Sequence, residues 1–260
     1  MHIFDSHCHL DDKSYSKDLD AVLDRARQAG VTRMMTIGVD GQTSARAVCL
    51  AGSYQGVYAS VGVHPHDAKN CSESVLGCLT GLAESPQVRA WGEIGLDFNR
   101  MYSPRKDQEK WLVRQLEIAG RLGLPLIFHE RDSNGRFLEI IKSRGLAAIR
   151  GVVHCFSGSL QELEQYLALG LHIGITGILT MPGRGAQLRE LARAIPAERL
   201  LVETDAPYLV PTPEKNHSRR NEPAFVKSVL MKLAEVRQAD PDRLARVVWQ
   251  NTCQLYGLEA

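Results

Sequence analysis

The chain begins Met1-His2-Ile3-Phe4-Asp5-Ser6-His7-Cys8-His9-Leu10, an apolar strand opening that runs straight into a His-x-His pair. Side chains two apart on a strand share a face, so His7 and His9 should point the same way, with Asp5 two residues before them. Two imidazoles on one face are already two ligands for zinc or a neighbouring metal. A lone pair of histidines is just as much at home on a surface or in a hydrogen-bonded core. The remaining ligands must come from downstream.

Composition limits the search. A length of 260 residues suits one α/β barrel of about 250 residues. With 44% hydrophobic residues a sizeable core can form without crosslinks. The cysteines at 8, 49, 71, 78, 155 and 253 show no Cys-x-x-Cys spacing, and no basic region followed by an apolar run opens the chain. Reduced thiols and a cytoplasmic location are expected. No apolar run approaches the ~20 residues of a membrane helix. Lys and Arg number 31 against 30 Asp and Glu, which argues against a long polyanion groove and leaves room for a local basic patch.

Short apolar runs at 3–7, 33–37, 57–63, 88–94, 124–129, 151–156, 172–176 and 200–205 predict eight strands. Amphipathic stretches at 18–29, 43–51, 74–83, 104–122, 136–143, 160–169 and 186–194 lie between them, and two more at 223–236 and 241–250 close the chain. Regular alternation of this kind indicates parallel β/α units. Ser103-Pro104 and Asp240-Pro241 read as helix openings, and Gly123 as a helix end. No linker, composition shift or repeat divides the chain, so residues 1–260 read as one domain. An open doubly wound sheet would often carry a glycine-rich turn after the first strand, where this chain has His-Cys-His. The predicted fold class is α/β, a (β/α)8 TIM-type barrel.

Such barrels place their chemistry at the carboxyl ends of the strands. Here those ends carry His7 and His9, His64-Pro65-His66, Glu93 with Asp97, His129-Glu130-Arg131, His154-Cys155, and Glu203-Thr204-Asp205. Six of these, His7, His9, Glu93, His129, His154 and Asp205, are nitrogen and oxygen ligands of the type zinc and its neighbours accept. Six are too many for one tetrahedral ion with an open position. They fit two ions about 3.5 to 4 Å apart, with Glu93 spanning both.

Seven ordered blocks then carry a resemblance to a known family. They are Asp5-Ser6-His7-Cys8-His9-Leu10-Asp11, Gly62-Val63-His64-Pro65-His66, Gly92-Glu93-Ile94-Gly95-Leu96-Asp97, Phe128-His129-Glu130-Arg131-Asp132, His154-Cys155-Phe156-Ser157-Gly158, Glu203-Thr204-Asp205-Ala206-Pro207-Tyr208-Leu209 and Arg220-Asn221-Glu222-Pro223. The chain resembles, over nearly its whole length, the TatD family of metal-dependent deoxyribonucleases in the amidohydrolase-like superfamily. That resemblance implies a (β/α)8 barrel, divalent metals and hydrolysis of phosphodiester bonds in DNA, in the 3′ to 5′ direction. The family's metal positions match His7, His9, Glu93, His129, His154 and Asp205 residue for residue. The chain departs from the pattern after strand seven, where it reads Gly177-Ile178-Leu179-Thr180-Met181-Pro182-Gly183-Arg184 instead of a polar turn with a basic residue. Near the C-terminus Asn251 stands, but the usual following basic residue is Gln254.

The expected roles follow from this set. Two divalent ions, whether zinc, magnesium or manganese, bring shared water within reach of deprotonation near neutrality. Asp205 is expected as both ligand and general base. Glu203, taken to share Asp205's strand face, is expected to anchor a histidine ligand ahead of the alternatives, a further metal ligand or a residue lining the lumen, and Asp5 and Asp97 to orient ligands or cap their own loops. His64 and His66 could meet a phosphate or cap their turn, and Arg131 could meet a phosphate or pair with Asp132. The densest basic run, Lys215, His217, Arg219 and Arg220, is either a phosphate contact or a solvated face. With so few candidate contacts, a short footprint at a DNA end is expected, single strands preferred because no unpairing is needed. The alternative is a small-molecule amidohydrolase or lactonase on the same metals. Relatives of that kind often carry a bridging carbamylated lysine, and the fourth strand has no lysine. A noncatalytic metal-binding scaffold is disfavoured because the ligand set is complete.

Overall fold

The computed structural model describes residues 1–144 and 150–260. Eight strands, β1 (Ile3–Cys8), β2 (Val31–Ile37), β3 (Val57–Val61), β4 (Val88–Asp97), β5 (Leu126–Arg131), β6 (Gly151–Val153), β7 (His172–Ile175) and β8 (Leu200–Val202), pair in chain order, each parallel to the next. The ring closes where Asp205 N–H donates to the His7 carbonyl at 2.9 Å and His9 N–H to the Ala206 carbonyl at 2.7 Å. The helices that return the chain are α1 (Leu19–Gln28), α2 (Gly41–Ser53), α3 (Glu73–Leu82), α4 (Arg105–Leu122), α5 (Arg136–Ser143), α6 (Leu160–Ala168) and α7 (Ala186–Ala194). Behind them come α8 (Val226–Arg237) and α9 (Pro241–Leu255). The architecture is the (β/α)8 barrel that the alternation of apolar runs predicts.

Two apolar clusters hold it. Phe4, Met35, Ala90, Ile127, Val152 and Leu201 pack together with Cys253, Leu255 and Tyr256 from the end of α9. Phe4 lies near the start of β1, whose far end carries His7, so this packing fills the barrel at the end away from the histidines. The larger cluster packs strands against helices. In α4, for example, Trp111, Leu112, Gln115, Leu116, Ile118 and Ala119 are buried at helical spacing.

The helix signals are mostly read correctly from sequence. Asp240 accepts from Arg243 N–H with Pro241 in the first turn, and Gly123 ends α4 at φ 68°, a left-handed conformation that glycine adopts without strain. Ser103 is different. Pro104 occupies the cap position of α4 without a side-chain bond, and Ser103 Oγ donates to the His66 carbonyl at 2.7 Å while accepting Lys69 N–H at 3.0 Å. The serine ties two mouth loops together instead of opening a helix.

Strands β3, β6 and β8 end two to three residues before their expected limits, because their last backbone groups leave the ladder for irregular partners. Gly62 N–H donates to Ser44 Oγ, Cys155 N–H to the Glu203 carboxylate and Thr204 N–H to the Asp5 carboxylate. Helix α9 runs past residue 250 because Cys253 and Leu255 are buried. Asn251 docks it, donating to the carbonyls of Ala197 at 2.8 Å and Leu200 at 2.9 Å. No helix among the described residues is long and apolar enough to cross a membrane.

Candidate metal centre

The centre is built around Glu93. Glu93 and Asp97 both reach His129 from β4, and β4 lies close against β5. A Cβ at Gly95 would sit 1.7 Å from the His129 carbonyl oxygen, so only glycine allows that approach. Glu93 is buried and surrounded by imidazoles. Its Oε1 lies 2.9 Å from His129 Nδ1, 3.4 Å from His64 Nε2 and 3.7 Å from His154 Nε2, and its Oε2 lies 3.4 Å from His7 Nε2. Across the mouth, Asp205 Oδ1 lies 3.4 Å from His9 Nε2 and 3.7 Å from His7 Nε2. Asp205 sits in the left-handed region at φ 57°, beyond the end of β8. It therefore does not share a strand face with Glu203, and the two carboxylates diverge.

The donor set fits divalent ions. His7 is fully buried, yet neither of its ring nitrogens has a hydrogen-bond partner, and its ring stacks on that of His154 at 3.6 Å. Buried polar atoms are seldom left unpaired without a reason. Ligand atoms of His7, His9 and Glu93, of His7, His154 and Asp205, of Glu93, His129 and His154, and of His64, His66 and His129 form four groups, each with all its atoms within 4.8 Å of one another. His7, Glu93, His129 and His154 each belong to two of these groups.

The electrostatics oppose burial with charge. Burial disfavours ionisation of Glu93, but His154, His64 and His7 nearby and the hydrogen bond from His129 hold it well below its ordinary range. Burial likewise disfavours an imidazolium at His154, yet Glu203 and Glu93 outweigh it and lift that group to about 10. At His129 the bonds to Asp97 and Glu93 overcome burial, raising it to about 9. His7 is lowered by burial and by His154. Without metal, protons on His129 and His154 would neutralise the carboxylates, so ion binding would displace them.

A ring of supporting groups sets these side chains. Glu203 Oε1 lies 2.9 Å from His154 Nδ1 and accepts Cys155 N–H at 2.6 Å, leaving His154 Nε2 to face Glu93. Asp97 accepts the backbone N–H of Asn99 and Arg100 on one oxygen and meets His66 Nε2 at 2.7 Å and His129 Nε2 at 3.2 Å on the other. Asp5 touches His7 only at the backbone, at 3.4 Å. Its carboxylate joins β1 to the chain after β8 through Thr204 N at 2.9 Å and Oγ1 at 2.6 Å, and burial pushes it up to about 8. His64 caps its own turn, Nδ1 accepting His66 N–H at 3.0 Å. Burial lowers it to about 4, so the neutral ring keeps its proton on Nε2, toward Glu93.

A mouth cavity of about 800 Å³ opens above the centre, and His64, His66 and Arg131 line it. Arg131 makes no ion pair with Asp132, which instead accepts from Asn99. Arg219 and Arg220 do not line the cavity. Arg220 is committed elsewhere, its guanidinium bonded to Asp18 and Glu222 and lying over the Tyr15 ring at 4.7 Å. The basic residues that do line the mouth beside Arg131 are Lys13, Arg46, Arg100 and Arg184, joined by Tyr102 and Tyr208. Arg46 is paired with Asp11 at 3.0 Å. Charge density along the sequence does not mark these residues, because they stand far apart in the chain. Arg100 and Tyr102 stand after β4, Arg184 after β7 and Tyr208 after β8, at the strand ends where such barrels place their chemistry, with Lys13 after β1 and Arg46 in α2. Arg184 places a cation in the turn after β7, at the end of the stretch that looked apolar.

A parallel barrel with imidazoles and carboxylates converging at its strand ends is the framework of a metal-dependent hydrolase. The comparisons give the family: the chain belongs to the TatD related DNases, whose pattern matches residues 4–257. It is 44% identical to a Klebsiella pneumoniae protein named 3′-5′ ssDNA/RNA exonuclease TatD, over 99% of this chain and 98% of that one. It superposes on YJJV, a TatD homologue from Escherichia coli K12, with a TM-score of 0.91 at 35% identity, covering 99% and 98% of the two chains. A TatD family hydrolase from Entamoeba histolytica matches with a TM-score of 0.88 at 25% identity, covering 98% of each chain.

Proposed function

We propose that this protein is a metal-dependent exonuclease that removes nucleotides from 3′ ends of single-stranded DNA and RNA. The observation that carries the reading is the buried Glu93 carboxylate facing four imidazoles, in a chain 44% identical along its length to a named exonuclease of that kind. His7, His9, Glu93, His129, His154 and Asp205 would hold two divalent ions, with Glu93 between them. A set so rich in imidazole favours zinc over magnesium or manganese, which prefer oxygen ligands. Unpaired cysteines at all six positions support a cytoplasmic setting, and residues 1–260 work as one catalytic unit.

When bound, the ions supply Lewis acidity that neutralises phosphate charge and brings water within reach of deprotonation near pH 7. The chain's own residues do the rest. Asp205, held between His7 and His9, takes the proton of the attacking water. The water oxygen bonds to phosphorus while the bond to one bridging oxygen breaks, and that oxygen takes the proton held by Asp205, which returns to its carboxylate form. His64, His66 and Arg131, which line the mouth, position the phosphate oxygens. Glu203 and Asp97 keep His154 and His129 in register.

The deciding experiment is a product ladder from 5′-labelled single-stranded DNA, single-stranded RNA and blunt duplex, with and without chelator. Stepwise shortening of both single strands, abolished by the chelator, is expected. Faster turnover of a lactone or a p-nitrophenyl ester than of any nucleic acid would overturn the reading in favour of a small-molecule hydrolase.

A further inference from the structure

We propose that Tyr102 and Tyr208 form a pair of base-stacking platforms on opposite rims of the mouth, bracketing the phosphodiester to be cut with one nucleobase on each side. The inference rests on the exonuclease reading. Of the large apolar side chains left exposed among the described residues, only these two line the mouth. Tyr102 is 55% exposed and Tyr208 54%, although burying an aromatic ring is strongly favourable where a core will take it. The backbone around each ring is fixed while the ring stays open. Tyr208 N–H donates to the Asp205 carbonyl at 2.8 Å, and the neighbour of Tyr102, Ser103, is buried and bonded to the His66 carbonyl. Each ring meets one site histidine in a T-shaped contact, Tyr102 with His66 at 4.7 Å and Tyr208 with His9 at 5.8 Å.

Topology supplies the spacing. Tyr102 follows β4 and Tyr208 follows β8, and in a closed ring ordered β1 to β8 these strands stand opposite each other. A phosphate placed between Glu93 and Asp205 therefore has one tyrosine on each side, where the two flanking bases of a strand must go. Stacking of this kind needs bases released from a duplex and does not read their identity. The pair thus selects single strands, DNA and RNA alike, without demanding a sequence.

The test uses the metal-loaded enzyme and Tyr102→Ala, Tyr208→Ala and the matching Phe variants. Single-stranded DNA carrying 2-aminopurine at the last or the penultimate position reports stacking by quenching on rapid mixing, and abasic sites at the same positions remove the base. Each Ala variant should lose quenching and raise KM roughly tenfold or more, with kcat falling less, metal content retained and the Phe variants close to wild type. For each tyrosine, an abasic site at one of the two positions should erase the difference between wild type and Ala. Unchanged quenching and KM in both Ala variants would overturn the platforms. If the wild-type enzyme leaves the strand whole, the exonuclease reading fails instead, and the quenching still reports on the tyrosines.

Discussion

At the scale of single residues, Glu93 and Asp205 are both carboxylates but differ in burial and reach, the Glu93 side chain being 3% exposed and that of Asp205 15%. Glu93 faces His7, His64, His129 and His154, whereas Asp205 faces His7 and His9. Glu93→Ala should therefore lower metal content more than loss of His9, because it would remove contacts to both ions. Elemental analysis after gel filtration decides this, and wild-type metal content in the variant would refute the bridging role. Asp205→Asn keeps the shape but cannot accept a proton, so kcat should fall at least a hundredfold, while KM and at least one ion are retained. Unchanged kcat at saturating metal would remove the base assignment. His172, at the start of β7 and far along the chain from any proposed ligand, governs stability instead. Burial and Arg199 lower it from 6.5 to about 4. Above pH 6.5 it is neutral in both folded and unfolded chains. Between 6.5 and 4 only the unfolded chain takes up the proton, so stability present at neutral pH is lost as pH falls, by about 3 kcal/mol in all. His172→Gln should flatten the decline in urea midpoint across that window, and an unaltered pH slope would rule His172 out.

At the scale of elements, the strands were legible because each is a short apolar run between helices. Their ends were not. The sequence shows where apolar character stops, but β6 and β8 stop where their backbone groups find partners outside the ladder, and this depends on the neighbouring strands. The same distinction explains the site. The ligand types could be read from strand ends, whereas the divergence of Glu203 from Asp205 depends on one left-handed backbone angle that no local pattern announces. Asp5 and Ser103 were misread for a similar reason, since their partners, Thr204 and His66, lie far away in sequence. Strand β7 carries a further constraint. A Cβ at Gly174 would come within 2.6 Å of Glu203 Oε2, so the glycine makes room for the carboxylate that holds His154. Gly174→Ala should leave the barrel folded by circular dichroism but displace Glu203 and weaken metal affinity about 10- to 100-fold. A metal titration identical to wild type would show that Glu203 does not need this space.

For the whole molecule, the decisive quantity is charge. A protein gripping six or more phosphates along a duplex loses roughly a thousandfold affinity or more between 50 and 200 mM salt, and its surface usually shows a broad basic face. This chain carries a net charge of +1, and Lys13, Arg100, Arg131 and Arg184 are the mouth cations without an ion pair among the described residues. Four contacts on a single strand predict a slope of log affinity against log salt of about −3. The basic run at 215–220 adds little, because Arg220 is already bound to Asp18 and Glu222. Arg184→Ala should therefore raise KM for single-stranded DNA and flatten the salt slope by about 0.7, whereas Arg219→Ala should change neither. A footprint this short suits a strand end placed in the mouth above Glu93 and Asp205. A covalently closed single-stranded circle offers no end and should resist the enzyme, while the same circle nicked once should be degraded. Rapid cutting of the closed circle, or a salt slope steeper than about −6, would mean that the strand is held along its length across a surface outside the mouth.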